Sequence, residues 1–306
     1  MSTAPHFYPI GTPGQPWGPA EIAAWRARQR RQRSYADEVL RAVLRPRAGL
    51  SCLPYGEIVH GNARYPVHAL ASSDWQAGRP TLLVTGGVHG YETSGVRGAL
   101  AFADAQAPRC AGRANLLIVP CVSPWGWEYI QRWNHDAVDP NRSFRANSPA
   151  QEARALQALV ARYAGQFSAH IDLHETTDSD EAEFRPALAA RDGKAFEPGS
   201  IPDGFYVVDD TEAPCPELQQ AVVAAVARVT HIAPADEHGE IIKSPVVAPG
   251  VIRYKLREWG LCASVSGAPL TCTTEVYPDS ARTSPAECVA AQVAAVCAVL
   301  EFILAA

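Results

Sequence analysis

Short apolar, β-branched runs alternate with helical stretches along most of this 306-residue chain. That alternation constrains the fold more than any other feature. PTLLVTG (80–86), NLLIVPC (115–121) and FSAHIDLH (167–174) are strand candidates, several of them apolar on both alternations, as strands covered on both faces are. GEIVHG (56–61), YPVHAL (65–70), GFYVVDD (204–210) and PLTCTTEVY (269–277) complete the set. Between them the spacing predicts helices over 19–45 and 93–106, and two more opened by SPAQ and SPAE. In SPAQ, Ser148 is the expected N-cap, Pro149 sits at N1 and Gln151 closes a capping box; Ser284 repeats the device in SPAE. Leu156, Leu159, Val160 and Tyr163 give the first an apolar face, and Val289, Val293, Val296, Leu300 and Leu304 stripe the second. The expected fold is α/β, with a mostly parallel sheet and helices on both faces. A Pro- and Gly-rich arm (1–18) and a helix make up 1–50, the main domain takes 51–306, and 178–268 reads as loops that shape a site.

Composition narrows the function. The net charge is −5, which argues against a nucleic-acid surface. The cluster Arg26, Arg28, Arg30, Arg31 and Arg33 therefore reads as a solvated helix face. The opening MSTAPHFYPIGTPGQPWGPA has no basic n-region and no apolar h-region, so no secretory signal is expected, and no membrane span either. Eight cysteines without CxxC spacing suggest free thiols in a reducing cytoplasm rather than a cysteine zinc site.

One stretch carries chemistry. In GGVHGYETSG (86–95), His89 and Glu92 follow the end of a strand, among glycines. In HIDLHET, His174 ends another. Open α/β sheets bind ligands beyond the carboxyl ends of their strands. Two histidines and a glutamate from two such ends suit a catalytic zinc that keeps one position open for water. The glycines are expected to leave room for metal, water and substrate. RWNHDAVDPNRSF (132–144) adds Arg132, Asp139, Asn141 and Arg142 within one loop, and TTEVYPD adds Glu275 at the end of the last strand candidate. Asp172 shares a strand face with His170 and His174, either as support for a ligand or as a satisfied buried acid. The acidic run DSDEAE (178–183) reads as a solvated loop.

In this order, HxxE, DxNR, a histidine after a strand and a late glutamate, the chain resembles the M14-type zinc carboxypeptidases over residues 55–304. The resemblance implies a single α/β domain with a mixed sheet of about eight strands. His89, Glu92 and His174 match the ligands of one zinc ion, and Glu275 the general base. Arg132 matches the arginine that polarises the scissile carbonyl. Asn141 and Arg142 match the pair that grips a terminal carboxylate, Asp139 the aspartate that orients the first histidine, and Tyr254 the mobile tyrosine. Proline in DPNR departs from the family, where an aliphatic residue is commoner.

The implied activity is hydrolysis of a C-terminal peptide bond by a cytoplasmic zinc metallopeptidase, whose substrate carries a free carboxylate. The rival is the related aspartoacylase and succinylglutamate desuccinylase branch, whose DLH ligand IDLHETT resembles; it would cleave N-acyl amino acids. The long stretch before His89 and the short one after Glu275 fit the carboxypeptidase layout better. A zinc-containing binding protein without catalysis is the alternative of another class, against which Glu275 and Arg132 speak. The side chain accepted by the specificity pocket is left open.

Overall fold

The computed structural model describes residues 8–306, so residues 1–7 of the expected arm lie outside the described residues. In chain order the elements are α1 (Pro19–Arg28), α2 (Arg41–Leu44), β1 (Leu50–His60), β2 (Ala63–Ser72), β3 (Thr81–Gly86), α3 (Thr93–Ala105), β4 (Asn115–Val119), α4 (Pro124–Tyr129) and α5 (Gln151–Ala161). There follow β5 (Ala169–Glu175), α6 (Arg185–Arg191), β6 (Tyr206–Asp210), α7 (Pro216–Val226), β7 (Glu240–Ile241), β8 (Ser244–Pro245), β9 (Val251–Tyr254), β10 (Leu270–Val276) and α8 (Pro285–Ala305).

Eight strands form one mixed sheet in the order β1-β2-β4-β3-β5-β10-β6-β9. Its centre, β4-β3-β5-β10, is parallel, while β2 joins β4, and β6 joins β10, in antiparallel fashion. The continuous apolar runs lie at this centre, and every residue of β3, β4 and β5 is buried. Alternate residues face opposite layers. Leu82, Val84, Ile171 and Leu173 join one core with α3, α7 and α8. Leu83, Leu117 and Val119 join another with α5. His170, Asp172 and His174 point to this second side because they alternate with Ile171 and Leu173. Helix α8, long and apolar enough by length and composition to cross a bilayer, packs against α3 and α7 here.

Several local expectations change. The helix over 19–45 is broken: α1 ends at Arg28, and a π-helical turn, Ala36–Leu40, leads into α2. In the gap, the backbone N–H groups of Gln32 and Arg33 donate to Glu128 O. Arg31 pairs with Glu128 at 2.6 Å, and Arg33 stacks 4.5 Å over Trp127, so neither belongs to a solvated helix face. Trp25, Tyr35, Val39 and Val43 join the main core, so the boundary at 50/51 separates element types rather than cores. Helix α5 begins after Ala150, with no capping box. Ser148 Oγ accepts from Ala150 N, and the Gln151 side chain instead pairs with both backbone groups of Val59 in β1. Ser284 caps α8 as expected, accepting from Glu287 N. The buried face of α8 is rotated from the expected stripe: Val296 and Leu300 are buried, whereas Val289, Val293 and Leu304 are half-buried. The stretch read as loops holds α7, β9 and the small β7–β8 hairpin. All eight cysteines are unpaired.

Candidate metal and substrate site

The strands set the site. β10 and β5 run in register so that Glu275 lies beside His174. β3 ends at Gly86, and the turn that follows carries His89 and Glu92 to the same end of the sheet. The glycines there do not leave room for ligand. A Cβ on Gly86 would lie 2.6 Å from Gly95 O, one on Gly95 2.5 Å from Leu173 O, and one on Gly90 1.8 Å from the Gly126 backbone. They let the turn, α3 and α4 pack backbone to backbone, which fixes the turn rigidly.

His89, Glu92 and His174 are buried together. Glu92 Oε1 lies 2.7 Å from His89 Nδ1, and Oε2 lies 2.7 Å from His174 Nδ1. The second contact is not aligned as a hydrogen bond, so Glu92 Oε2 is a buried oxygen without a donor. Each imidazole is held from behind. Asp139 Oδ1 is 3.0 Å from His89 Nε2, and Asp172 Oδ2 is 2.7 Å from His174 Nε2. Asp172, left open by the sequence, thus supports a histidine. Both Nδ1 atoms converge on the glutamate while both Nε2 atoms rest on carboxylates, which is how metal-ligating histidines are oriented.

The charges agree. Burial works against an ionised Glu92, but His174 and His89 pull its carboxyl down to about 2. Burial likewise works against charge on His174, yet Asp172 and Glu92 hold it well above the ordinary histidine range. Without a metal the cluster attracts a proton; the same field favours any cation placed there.

The loop 132–142 brings the remaining candidates to the cleft. Arg132 is anchored through Nε to Asp139 Oδ2 at 3.2 Å and through Nη1 to Tyr91 Oη at 3.3 Å and Asp180 Oδ1 at 3.4 Å. Asp139 therefore links His89 to Arg132. Asn141 Oδ1 accepts from Cys262 N at 2.7 Å, and its amide nitrogen lies 3.4 Å from His174 Nε2. Arg142 differs from Arg132: its side chain donates to Asn141 O at 2.7 Å and forms no ion pair among the described residues. Its side chain is open to solvent, and partial desolvation by the cleft around it holds its pKa below the usual arginine value. Glu275 Oε2 accepts from Thr176 Oγ1 at 2.9 Å, and burial pushes its carboxyl up to about 7. Tyr254 reaches the same cleft, its ring tilted against Trp259 with centroids 4.8 Å apart, and its phenol is pushed to about 12 by burial and by Glu275. The cleft holds about 1120 Å³ and is lined by His89, Glu92, Arg132, Arg142, Tyr254 and Glu275 among others.

Sequence reasoning missed Asp180 and Tyr91. Asp180 is not part of a solvated loop. It is buried, and it accepts from Tyr91 Oη at 2.8 Å and from Thr177 N at 2.8 Å. Tyr91 follows HG in the HGYE stretch, and its position inside the motif was the only available signal.

Known proteins resemble this chain in sequence and in fold. The family model for the succinylglutamate desuccinylase/aspartoacylase catalytic domain matches residues 78–195. A probable carboxypeptidase 2 of Trichophyton verrucosum is 31% identical over a stretch covering 37% of this chain and 24% of that protein. The match thus spans about a quarter of that relative's length. Among solved structures, a proposed metallopeptidase from Shewanella amazonensis shares the fold at TM-score 0.62 and 21% identity, covering 93% of this chain and 92% of its own. A succinylglutamate desuccinylase/aspartoacylase from Rhodobacter sphaeroides does so at 0.53 and 17%, covering 84% and 66%. The family model and the carboxypeptidase relatives are similar to parts of this chain and support one superfamily, that of the M14-like metallocarboxypeptidases and the succinylglutamate desuccinylases and aspartoacylases, while the solved structures share its fold.

Proposed function

We propose that the chain is a zinc-dependent metallocarboxypeptidase that removes a C-terminal residue. One observation carries the reading: Arg142, open to solvent and without an ion pair among the described residues, lines the same cleft as a His₂Glu set whose histidines are already oriented. The donor set fits the metal. Two imidazoles and one carboxylate, with an orphaned Glu92 oxygen, suit zinc better than magnesium or calcium. His89, Glu92 and His174 would hold it, and a bound zinc supplies Lewis acidity and a more acidic water.

The chain's own groups account for the rest. Glu275, which lines the cleft beside His174, takes the proton of the attacking water on its carboxylate and delivers it to the leaving amine. Arg132, held by Asp139 and Asp180, presents its guanidinium to the carbonyl oxygen as negative charge grows there. Arg142 pairs with the terminal carboxylate, and Asn141, anchored on Cys262, helps to place it. Tyr254 closes one wall. A cleft of about 1120 Å³ is larger than an acyl amino acid needs, which favours a peptide.

The second reading, an N-acyl amino acid deacylase, is favoured by the family model over 78–195. A third, a zinc protein without catalysis, leaves the Glu275 carboxylate at the cleft without a role. We also place the protein in the cytoplasm, on the strength of eight unpaired cysteines. The test is a mass-spectrometric screen of zinc-loaded protein against peptides of varied C-terminus and N-acyl amino acids, with a chelator control. Chelator-sensitive loss of single C-terminal residues supports the first reading. Cleavage of acyl amino acids alone moves the protein to the second. Zinc bound with no turnover of either leaves the third.

A further inference from the structure

A second group of metal-capable side chains lies outside the cleft, where the end of β1 meets the outer tip of loop 132–142. His60 ends β1, and His135 and Asp136 form the tip. Their candidate ligand atoms all lie within 4.8 Å of one another.

His60 is the informative member. Its side chain is 1% exposed, and its Nε2 lies 2.7 Å from Glu152 Oε1, whose carboxylate is fully buried. Glu152 Oε2 accepts a further bond from Asn134 Nδ2 at 3.1 Å. An ionised carboxylate only accepts, so Nε2 is the donor of that contact and Nδ1 is the nitrogen left to meet a further partner. That Nδ1 is buried without a hydrogen-bond partner. It faces Asp136 Oδ2 at 3.9 Å. A buried nitrogen without a partner, facing a carboxylate oxygen of the half-exposed Asp136 side chain, is a place for a cation. A histidine with one nitrogen tied to a buried carboxylate and the other free repeats the arrangement that orients metal ligands.

We propose that His60 Nδ1, Asp136 Oδ2 and the His135 imidazole form a second metal site, for a borderline divalent ion of the zinc or cobalt class. Arg26 prepares the tip without blocking it. It donates through Nε to His135 O at 2.8 Å and through Nη2 to Asp136 Oδ1 at 3.2 Å, leaving Oδ2 free. The His135 ring stands stacked on His60, with centroids 5.2 Å apart and planes 18° from parallel. Parallel rings do not aim both lone pairs at one point, and His135 Nδ1 already lies 2.8 Å from Asp136 Oδ1, so the His135 ring, 19% exposed, must turn to complete the set. That turn and the nearby Arg26 charge make this the weaker site, filled after the deep one. Because the same loop carries Arg132, Asp139 and Asn141, a bound ion would tie β1 to the loop that builds the cleft.

The experiment is a Co²⁺ titration of the metal-stripped full chain, read by visible absorption and by metal analysis after gel filtration. Far-UV circular dichroism checks that each variant is folded. The wild type should retain one equivalent more than His135→Ala and Asp136→Asn. His89→Ala should lose a different equivalent and keep this one, so the two sites are read separately. Equal metal content in the wild type and both tip variants overturns the proposal, whatever happens at the deep site. Asp136→Asn preserves the side chain's shape, so a loss there reports ligation rather than unfolding.

Discussion

Two buried clusters lie side by side at the centre of the sheet, and only one has the electrostatics of a metal site. His89, Glu92 and His174 form the first, and His170, Asp172 and Cys262 the second. Both are fully enclosed and both hold metal-ligand side chains. In the second, His170 is satisfied and neutral. Its Nδ1 lies 3.0 Å from Ala263 O and its Nε2 2.8 Å from the Thr85 hydroxyl, and burial pushes its pKa to about 4. In the first, carboxylates stand on both sides of each imidazole, and one Glu92 oxygen has no donor. The lesson is that residue type and burial do not make a metal site. Convergent, unsatisfied acceptors do.

The comparison can be broken most directly at the ligands. His174→Ala should lose the zinc equivalent of the cleft together with turnover, whereas His170→Gln should keep that equivalent. Metal analysis of the two purified variants decides it; a zinc-free His170→Gln protein would put the metal in the wrong cluster. Glu275→Gln should retain zinc and lose turnover by about 10²–10⁴-fold, the scale of a general base. An active, zinc-loaded variant would remove Glu275 from the chemistry. Arg142→Ala should raise KM by about ten- to a hundredfold with zinc content unchanged, the scale of a charge-assisted contact. Loss of metal instead would make Arg142 structural. Asp139→Asn should weaken zinc affinity by about ten- to a hundredfold, because His89 loses its carboxylate support; competition with a chromophoric chelator measures it. The smallest effect sharpens the contrast from the other side. His170→Gln should cost about 1–3 kcal/mol in urea unfolding, from a buried partner left unmatched.

Much of this was legible because it is local. Apolar runs on both alternations marked β3, β4 and β5, and the HGYE and DLH stretches placed His89, Glu92 and His174 at strand ends. Glu275 was legible as the carboxylate of a late strand. Local rules failed where a side chain had a tertiary use. Gln151 left its expected cap for Val59, and Arg31 and Arg33 left the helix for Glu128 and Trp127. The glycines around His89 looked like space for a ligand, yet neighbouring backbone fills them.

The sequence by itself determined the layered α/β architecture, the order of the motifs and the residue types available to a metal and a carboxylate, because periodicity and spacing are properties of neighbours along the chain. Only the tertiary structure decided which acid meets which base. Asp180 reaches Arg132 across the cleft, Asp139 joins His89 to Arg132, Arg142 is left without a partner, and Glu152 reaches His60 from a distant helix. These pairings depend on how the crossovers fold segments far apart in sequence onto one sheet, and burial then makes each match or mismatch count.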